Sequence, residues 1–237
     1  GIGLTQHRLT INLTPATLPK KGSGFDVAMV VAALQAEKKL KPSGDCVFLG
    51  EVGLDGSIRP IPGILPAVKA AADAGHSRVV VPAQNMHEAA LIPGIQVSGF
   101  RCLAEIFVAL GASAENLKYP PESVREQPTA EIPEHGIPSD MSEVAGQAQG
   151  RFALEIAAAG GHHLLFTGPP GSGKTMLAER LPSILPPLDD DAAMEVTAIR
   201  SLTAGGTPLR ELVRTPPFEA PHHSASAPAI LGGGSGI

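Results

Sequence analysis

The stretch Gly168-Pro169-Pro170-Gly171-Ser172-Gly173-Lys174-Thr175 fits G-x-x-x-x-G-K-[ST], the spacing of a phosphate-binding loop. The pattern demands a particular local architecture, and its flanks supply the pieces. Leu164-Leu165-Phe166-Thr167 is an apolar run of strand length, and residues 174–181 read as a helix stopped by Pro182. Glycines let backbone N–H groups close around phosphate oxygens with no side chain in the way. The helix N-terminus adds partial positive charge. Lys174 is then expected to reach the β- and γ-phosphates, and the Thr175 hydroxyl to ligand Mg²⁺. All eight positions are therefore candidate nucleotide-binding residues, with ATP and Mg²⁺ as the implied cofactors.

The 237 residues suffice for one large domain or two small ones, and 43% hydrophobic content allows real cores. A net charge of −5 gives no global basic footprint for nucleic acid. With no Trp and one Tyr, base-stacking platforms are not visible. Cys46 and Cys102 lack metal-binding spacing and read as free thiols. There is no basic-then-apolar leader and no run of eighteen apolar residues, which predicts a cytoplasmic protein without membrane contact. The glycine-rich end in apparent mid-loop reads as that of an excised fragment.

Along the chain, alternating polarity predicts a strand over 7–13, and a nearly all-round apolar stretch predicts a buried helix over 25–37. Asp26 there reads as a charge on the helix dipole. Residues 46–52 and 57–61 read as two strands joined at the Asp55-Gly56 turn. Helices are expected over 66–74, 84–91 and 102–110, and strands over 78–81 and 95–98, giving a mixed sheet with helices packed on it. From 113 to 139 five prolines fall among polar residues, the composition of an extended linker. The expected organisation is thus a domain over 1–112, a linker over 113–139 and a second domain over 140–237. The second domain opens on Asp140-Met141-Ser142-Glu143, a capping-box pattern. A helix over 147–159 follows, then the glycine loop, then a helix over 192–202. Asp189-Asp190-Asp191 reads as a solvated acidic run, since no apolar strand precedes it.

Several stretches resemble a known family. Gly146-Gln147, the run from Ala153 to Leu165, the glycine loop, and Ala220-Pro221-His222-His223-Ser224-Ala225-Ser226 are similar to AAA+ ATPases of the magnesium-chelatase type. Together with the first domain, the whole chain looks like the ComM/YifB family of magnesium-chelatase-like ATPases. Gly50-Glu51-Val52-Gly53-Leu54-Asp55-Gly56-Ser57-Ile58-Arg59-Pro60-Ile61 resembles the strand-turn-strand of Lon proteases, and Pro19-Lys20-Lys21-Gly22 the opening of Lon's nucleophile motif. The fold class implied is α/β: a Lon-protease-like mixed domain, then a truncated P-loop (AAA+) core. The resemblance further implies an ATPase working as a homo-oligomer, a ring-shaped hexamer when full length. Its implied work is translocation of DNA strands in recombination of incoming DNA, and DNA enters as a partner by resemblance alone.

The first domain departs from the protease pattern. The nucleophile's place falls on Gly24, with Ser23 one residue early, and the partner lysine's place falls on Ala67. Lys69, two residues further on, is turned by about 200° around a helix, so a catalytically dead domain is expected. No catalytic residue is visible elsewhere. In the family the acidic pair, sensor residue and arginine finger lie beyond position 237, which implies a chain that binds ATP and hydrolyses it poorly. An ATP-dependent Lon-type peptidase and a magnesium-chelatase motor subunit are the alternative readings. Adjacent histidines at 162–163 and 222–223 are expected to point apart and to serve as turn or interface residues rather than metal ligands.

Overall fold

The structure, a computed structural model, describes residues 10–14, 22–121, 139–203 and 209–232. By contacts the chain divides into two compact units, Gly1–Ile132 with Thr197–Leu212, and Pro133–Val196 with Val213–Ile237. The division falls inside one helix, so a short C-terminal piece of it counts with the first unit. Residues 7–9 of the expected strand over 7–13 and most of the Pro-rich segment lie outside the described residues, and 10–13 carry no ladder.

The first unit is mixed α/β with a parallel sheet. Its helices are α1 (Asp26–Ala36), α2 (Ile64–Asp73), α3 (Met86–Ala89) and α4 (Leu103–Ala109). Its strands are β1 (Val47–Phe48), β2 (Glu51–Val52), β3 (Ile58–Arg59), β4 (Arg78–Pro82) and β5 (Gln96–Phe100). The three-stranded sheet runs β1-β4-β5, all parallel, with Val47 opposite Val79 and Val80 opposite Ser98. β4 is central, and Val79, Val80 and Val81 are all buried, which is why its sequence is continuously apolar rather than alternating. The core joins Val27, Val31 and Leu34 of α1 to Phe48, Val80, Ile106 and Phe107.

Three expectations change here. Residues 46–52 form two strands, not one. Gly50 turns the chain at φ 145°, and a Cβ there would sit 2.9 Å from Ile58 Cγ2 and 3.1 Å from Val27 Cγ2. β1 therefore stays in the parallel sheet, while β2 leaves to pair antiparallel with β3, Glu51 opposite Arg59. α1 is not buried all round. One stripe faces the core, and Phe25 and Ala32 are exposed. Asp26 does more than answer a dipole, because its Oδ2 accepts the Val52 N–H at 3.3 Å and ties the helix start to the hairpin.

Among the described residues of the second unit the regular elements are helices, joined by turns and coil. α5 (Ala148–Gly160) precedes the glycine loop, α6 (Lys174–Glu179) follows it, α7 (Asp190–Thr203) begins in this unit, and α8 is Ala227–Leu231. Leu164-Leu165-Phe166-Thr167, expected as a strand, forms no ladder. A strand needs a neighbour to take its backbone groups, and no strand of this unit is available among the described residues. The Asp140 side chain caps only a 3₁₀ turn, Met141–Glu143, accepting the Ser142 N–H at 2.7 Å. Those bonds to Ser142 hold its carboxyl below the usual range. Glu143 does not return to close a capping box. It pairs with Arg180 at 2.9 Å.

The small core of this unit gathers Met141, Val144, Leu154 and Leu177, with Phe166, Met176, Leu181 and Ile184 against it. α5 approaches α6 at Gly150, where a Cβ would lie 2.6 Å from Leu177 Cδ1. Gly150→Ala sets a helix-propensity gain of about 1 kcal/mol against an overpacking cost of roughly 1–3 kcal/mol. Leu177 is buried on all sides and has nowhere to move, so the cost should win. Hydrogen exchange should show weaker protection of the α6 amides in this variant, with the β4 amides unchanged.

Candidate functional site

The glycine loop is held open by the helix behind it. Gly171 and Gly173 adopt φ 76° and 83°, conformations that favour glycine. A Cβ at Gly173 would also press to 3.1 Å from Gln147 Nε2 and 3.3 Å from Met176 Cε. The Leu177 N–H makes its helical bond to Gly173 O at 3.0 Å. The N–H groups of Lys174, Thr175 and Met176 therefore precede the first intrahelical donor, Leu177, and belong to the free N-terminal turn.

Lys174 leads that turn, as the motif requires. Its ammonium curls back over the loop and donates to Gly168 O at 2.9 Å, Pro169 O at 2.7 Å and Ser172 Oγ at 3.2 Å. Thr175 stands exposed beside it in the first turn of α6. Pro169 and Pro170 are exposed on the loop's outer rim. The structure thus brings Gly168, Pro169, Pro170, Gly171, Ser172, Gly173, Lys174 and Thr175 into one concave turn, with the lysine charge at its mouth. Neutral carbonyl and hydroxyl oxygens are weaker acceptors for an ammonium than anionic phosphate oxygens. The donor set fits a polyphosphate, and a hydroxyl beside it fits Mg²⁺.

One site residue had no role in the sequence reading. Gln147 sits at φ 52°, in the left-handed region where a non-glycine residue is uncommon, just before α5. Its amide donates to Ser172 O at 3.1 Å and pins the loop from behind. The sequence signal was the Gly146-Gln147 pair, in which Gly146 also takes a positive φ of 71°.

Other candidates resolve differently. Asp189 and Asp190 are not merely solvated. Asp189 Oδ1 caps α7 at the Ala192 N–H at 2.8 Å, and Asp190 pairs with Arg214 at 2.7 Å. The rings of His222 and His223 do not point apart, with centroids 4.0 Å from one another and His222 Nδ1 2.7 Å from Ser224 Oγ. His162 lies over Gly160, where a Cβ would meet its ring. Among the described residues no three His, Cys, Asp or Glu gather as a metal site, and no helix is long and apolar enough to cross a membrane. In the first unit Ser23 bonds the Glu51 carboxylate, while Lys69 pairs with Asp73 at 3.0 Å. Gly24, in the nucleophile's place, accepts the Gly50 N–H at 2.9 Å through its carbonyl.

Two family models match the chain. The model for magnesium chelatase, subunit ChlI, covers residues 140–237, and that for subunit ChlI of Mg-chelatase covers residues 1–85. An uncharacterized protein of Mycobacterium tuberculosis is 49% identical over 97% of this chain and 44% of its own length. YifB of Salmonella typhimurium is 40% identical over 99% of this chain and 45% of its own. Competence protein ComM of Haemophilus influenzae is 37% identical over 96% of this chain and 44% of its own. The chain therefore spans less than half the length of the curated relatives it matches.

The bond from Gln147 to Ser172 carries a test. Gln147→Ala removes it and keeps the strained backbone, a loss of about 1 kcal/mol, or about fivefold in affinity. Titration of a fluorescent ATP analogue should show that weakening, with α-helical circular dichroism unchanged.

Proposed function

The chain belongs to the ComM/YifB family of magnesium-chelatase-like AAA+ ATPases, and on that premise we propose that it is the ATP-binding portion of a DNA-translocating motor. The observation that carries this reading is the loop of residues 168–175, with Lys174 at its mouth bonded to Gly168 O and Pro169 O. In the proposed complex Lys174 gives up those acceptors for the β- and γ-phosphates of ATP. The N–H groups of the α6 first turn bind phosphate oxygens, and the Thr175 hydroxyl holds Mg²⁺. Magnesium supplies charge neutralisation when bound. Gln147 fixes the loop so that little ordering is left to the binding step.

The finer organisation is part of the same proposal. Residues 1–112 form a Lon-like domain without peptidase activity, residues 113–139 a linker, and residues 140–237 the first part of the AAA+ core. Support for a silent peptidase site comes from Ser23 and Lys69, each engaged with a different carboxylate. A serine–lysine dyad needs the amine on the hydroxyl. The whole protein would work in the cytoplasm as a homo-hexamer that moves DNA strands during recombination of incoming DNA. That part rests on the family and on the Haemophilus relative being a competence protein by name.

Binding and hydrolysis should separate. In the acidic run, Asp189 caps a helix and Asp190 pairs with Arg214. Hydrolysis needs an acidic residue on Mg²⁺ and an arginine on the transferring phosphoryl group, the latter alone worth roughly 10³–10⁵ in rate. Lys174→Ala should abolish binding of a fluorescent ATP analogue, and equal affinities in both proteins would sink the site. Phosphate release at saturating ATP should be slower in residues 1–237 than in the full-length protein by a factor of that order. Comparable turnover would place the missing groups within these residues.

A further inference from the structure

The first unit buries a carboxyl that nothing above has used. Glu88, on α3, is 3% exposed, and burial pushes its carboxyl above the ordinary glutamate range. The nearby Ser201 and Asn85 side chains and the backbone at Leu209 and Leu65 ease that penalty in part. Yet Glu88 Oε1 has no partner in bonding geometry, and neither has Ser201 Oγ beside it. Ser201 is 4% exposed, so two buried polar atoms are left unsatisfied in the same place. Such groups are costly unless something joins them.

Ser201 belongs to the C-terminal part of α7, which counts with this unit. Its seat is built for close approach. The Gly63 N–H donates to Ser201 O at 3.0 Å. Gly63 has φ 71°, and a Cβ there would lie 2.6 Å from Leu202 Cδ2. Asn85 is committed to the same wall, accepting the Ile61 N–H at 3.0 Å and donating to Ile61 O at 3.2 Å. The segment 197–203 is therefore held by a backbone bond at Gly63, which brings the Ser201 hydroxyl beside Glu88.

Among the described residues no cation pairs with the carboxyl. On α2, Lys69 and Asp73 pair with each other in solvent. On β4, Arg78 donates to Ser43 O at 2.6 Å. His87 on α3, and Arg210 and Glu211 after the segment, are exposed, while Arg200 is half-buried on α7. β5 and the turn Ala83–Asn85 contribute no charged residue.

We propose that Glu88 is a proton-operated clamp on residues 197–203. With the carboxyl neutral, its O–H donates to Ser201 Oγ and seats the segment against α2 and α3. With it ionised, an uncompensated buried charge loosens the seat. The direction follows from linkage. The folded carboxyl binds its proton more tightly than the ordinary value of 4.5. The clamp is therefore at full strength below that pH and weakens as pH rises through the elevated value.

The test is hydrogen exchange on the full-length protein from pH 4.5 to 8.5, corrected for intrinsic rates. Amides of residues 197–203 should lose about tenfold in protection for each unit by which the carboxyl is raised, while β4 amides hold constant. Glu88→Gln, a neutral isostere, should keep high protection at every pH. Ser201→Ala, which removes the acceptor, should show low protection already at pH 4.5. Protection in 197–203 that is flat with pH in the unaltered protein would overturn the clamp, and so would a Glu88→Gln profile that still falls.

Discussion

A helix of six residues cannot hold itself together in water, because nucleation costs more than so few bonds return. α6 is such a helix, and the nucleotide loop depends on it. What keeps it folded is Leu177, which fits against Gly150 of α5 and enters the core with Leu154, Met141 and Val144. Remove the close approach at Gly150 and the helix start has no fixed position. The N–H groups of its first turn would then point nowhere in particular. Arg180 closes the same assembly at the other end, with its guanidinium on Glu143 and on Met176 O. The position of the glycine loop in this chain is thus set by apolar packing one turn behind it, and by Gln147, at a positive φ, which bonds Ser172 from the other side.

The first unit solves a different problem. Its parallel sheet is covered on both faces, so β4 is buried along nearly its whole length. The antiparallel hairpin β2–β3 hangs from this sheet through single bonds: Ile58 N–H to Arg101 O at 2.8 Å, and Leu103 N–H to Gly56 O at 2.9 Å. Asp26 and the Gly24–Gly50 bond fasten its other side.

Much of this was legible in the residues. The glycine loop and its helix follow from one motif, and α2, α4, β4 and β5 follow from periodicity, with boundaries shifted by a residue or two. The illegible parts share a physical cause, which is that they depend on something distant. Whether residues 164–167 form a ladder depends on a neighbouring strand, which their own pattern does not encode. The break at Gly50 is set by Val27 and Pro82, far along the chain, and by Ile58 across the hairpin. The roles of Asp26 and Asp190 are fixed by the partners they meet, Val52 and Arg214. Glu88 and Ser201 stand more than a hundred positions apart, so no local pattern could pair them.

The run at 164–167 has a practical side. Leu165 is 84% exposed and Leu164 42%, on an extended backbone with no ladder. An apolar strand-like edge in water is a template for edge-to-edge pairing between molecules. Handling of this stretch of chain in isolation is then governed by colloidal behaviour: concentration and ionic strength decide how long it stays monodisperse.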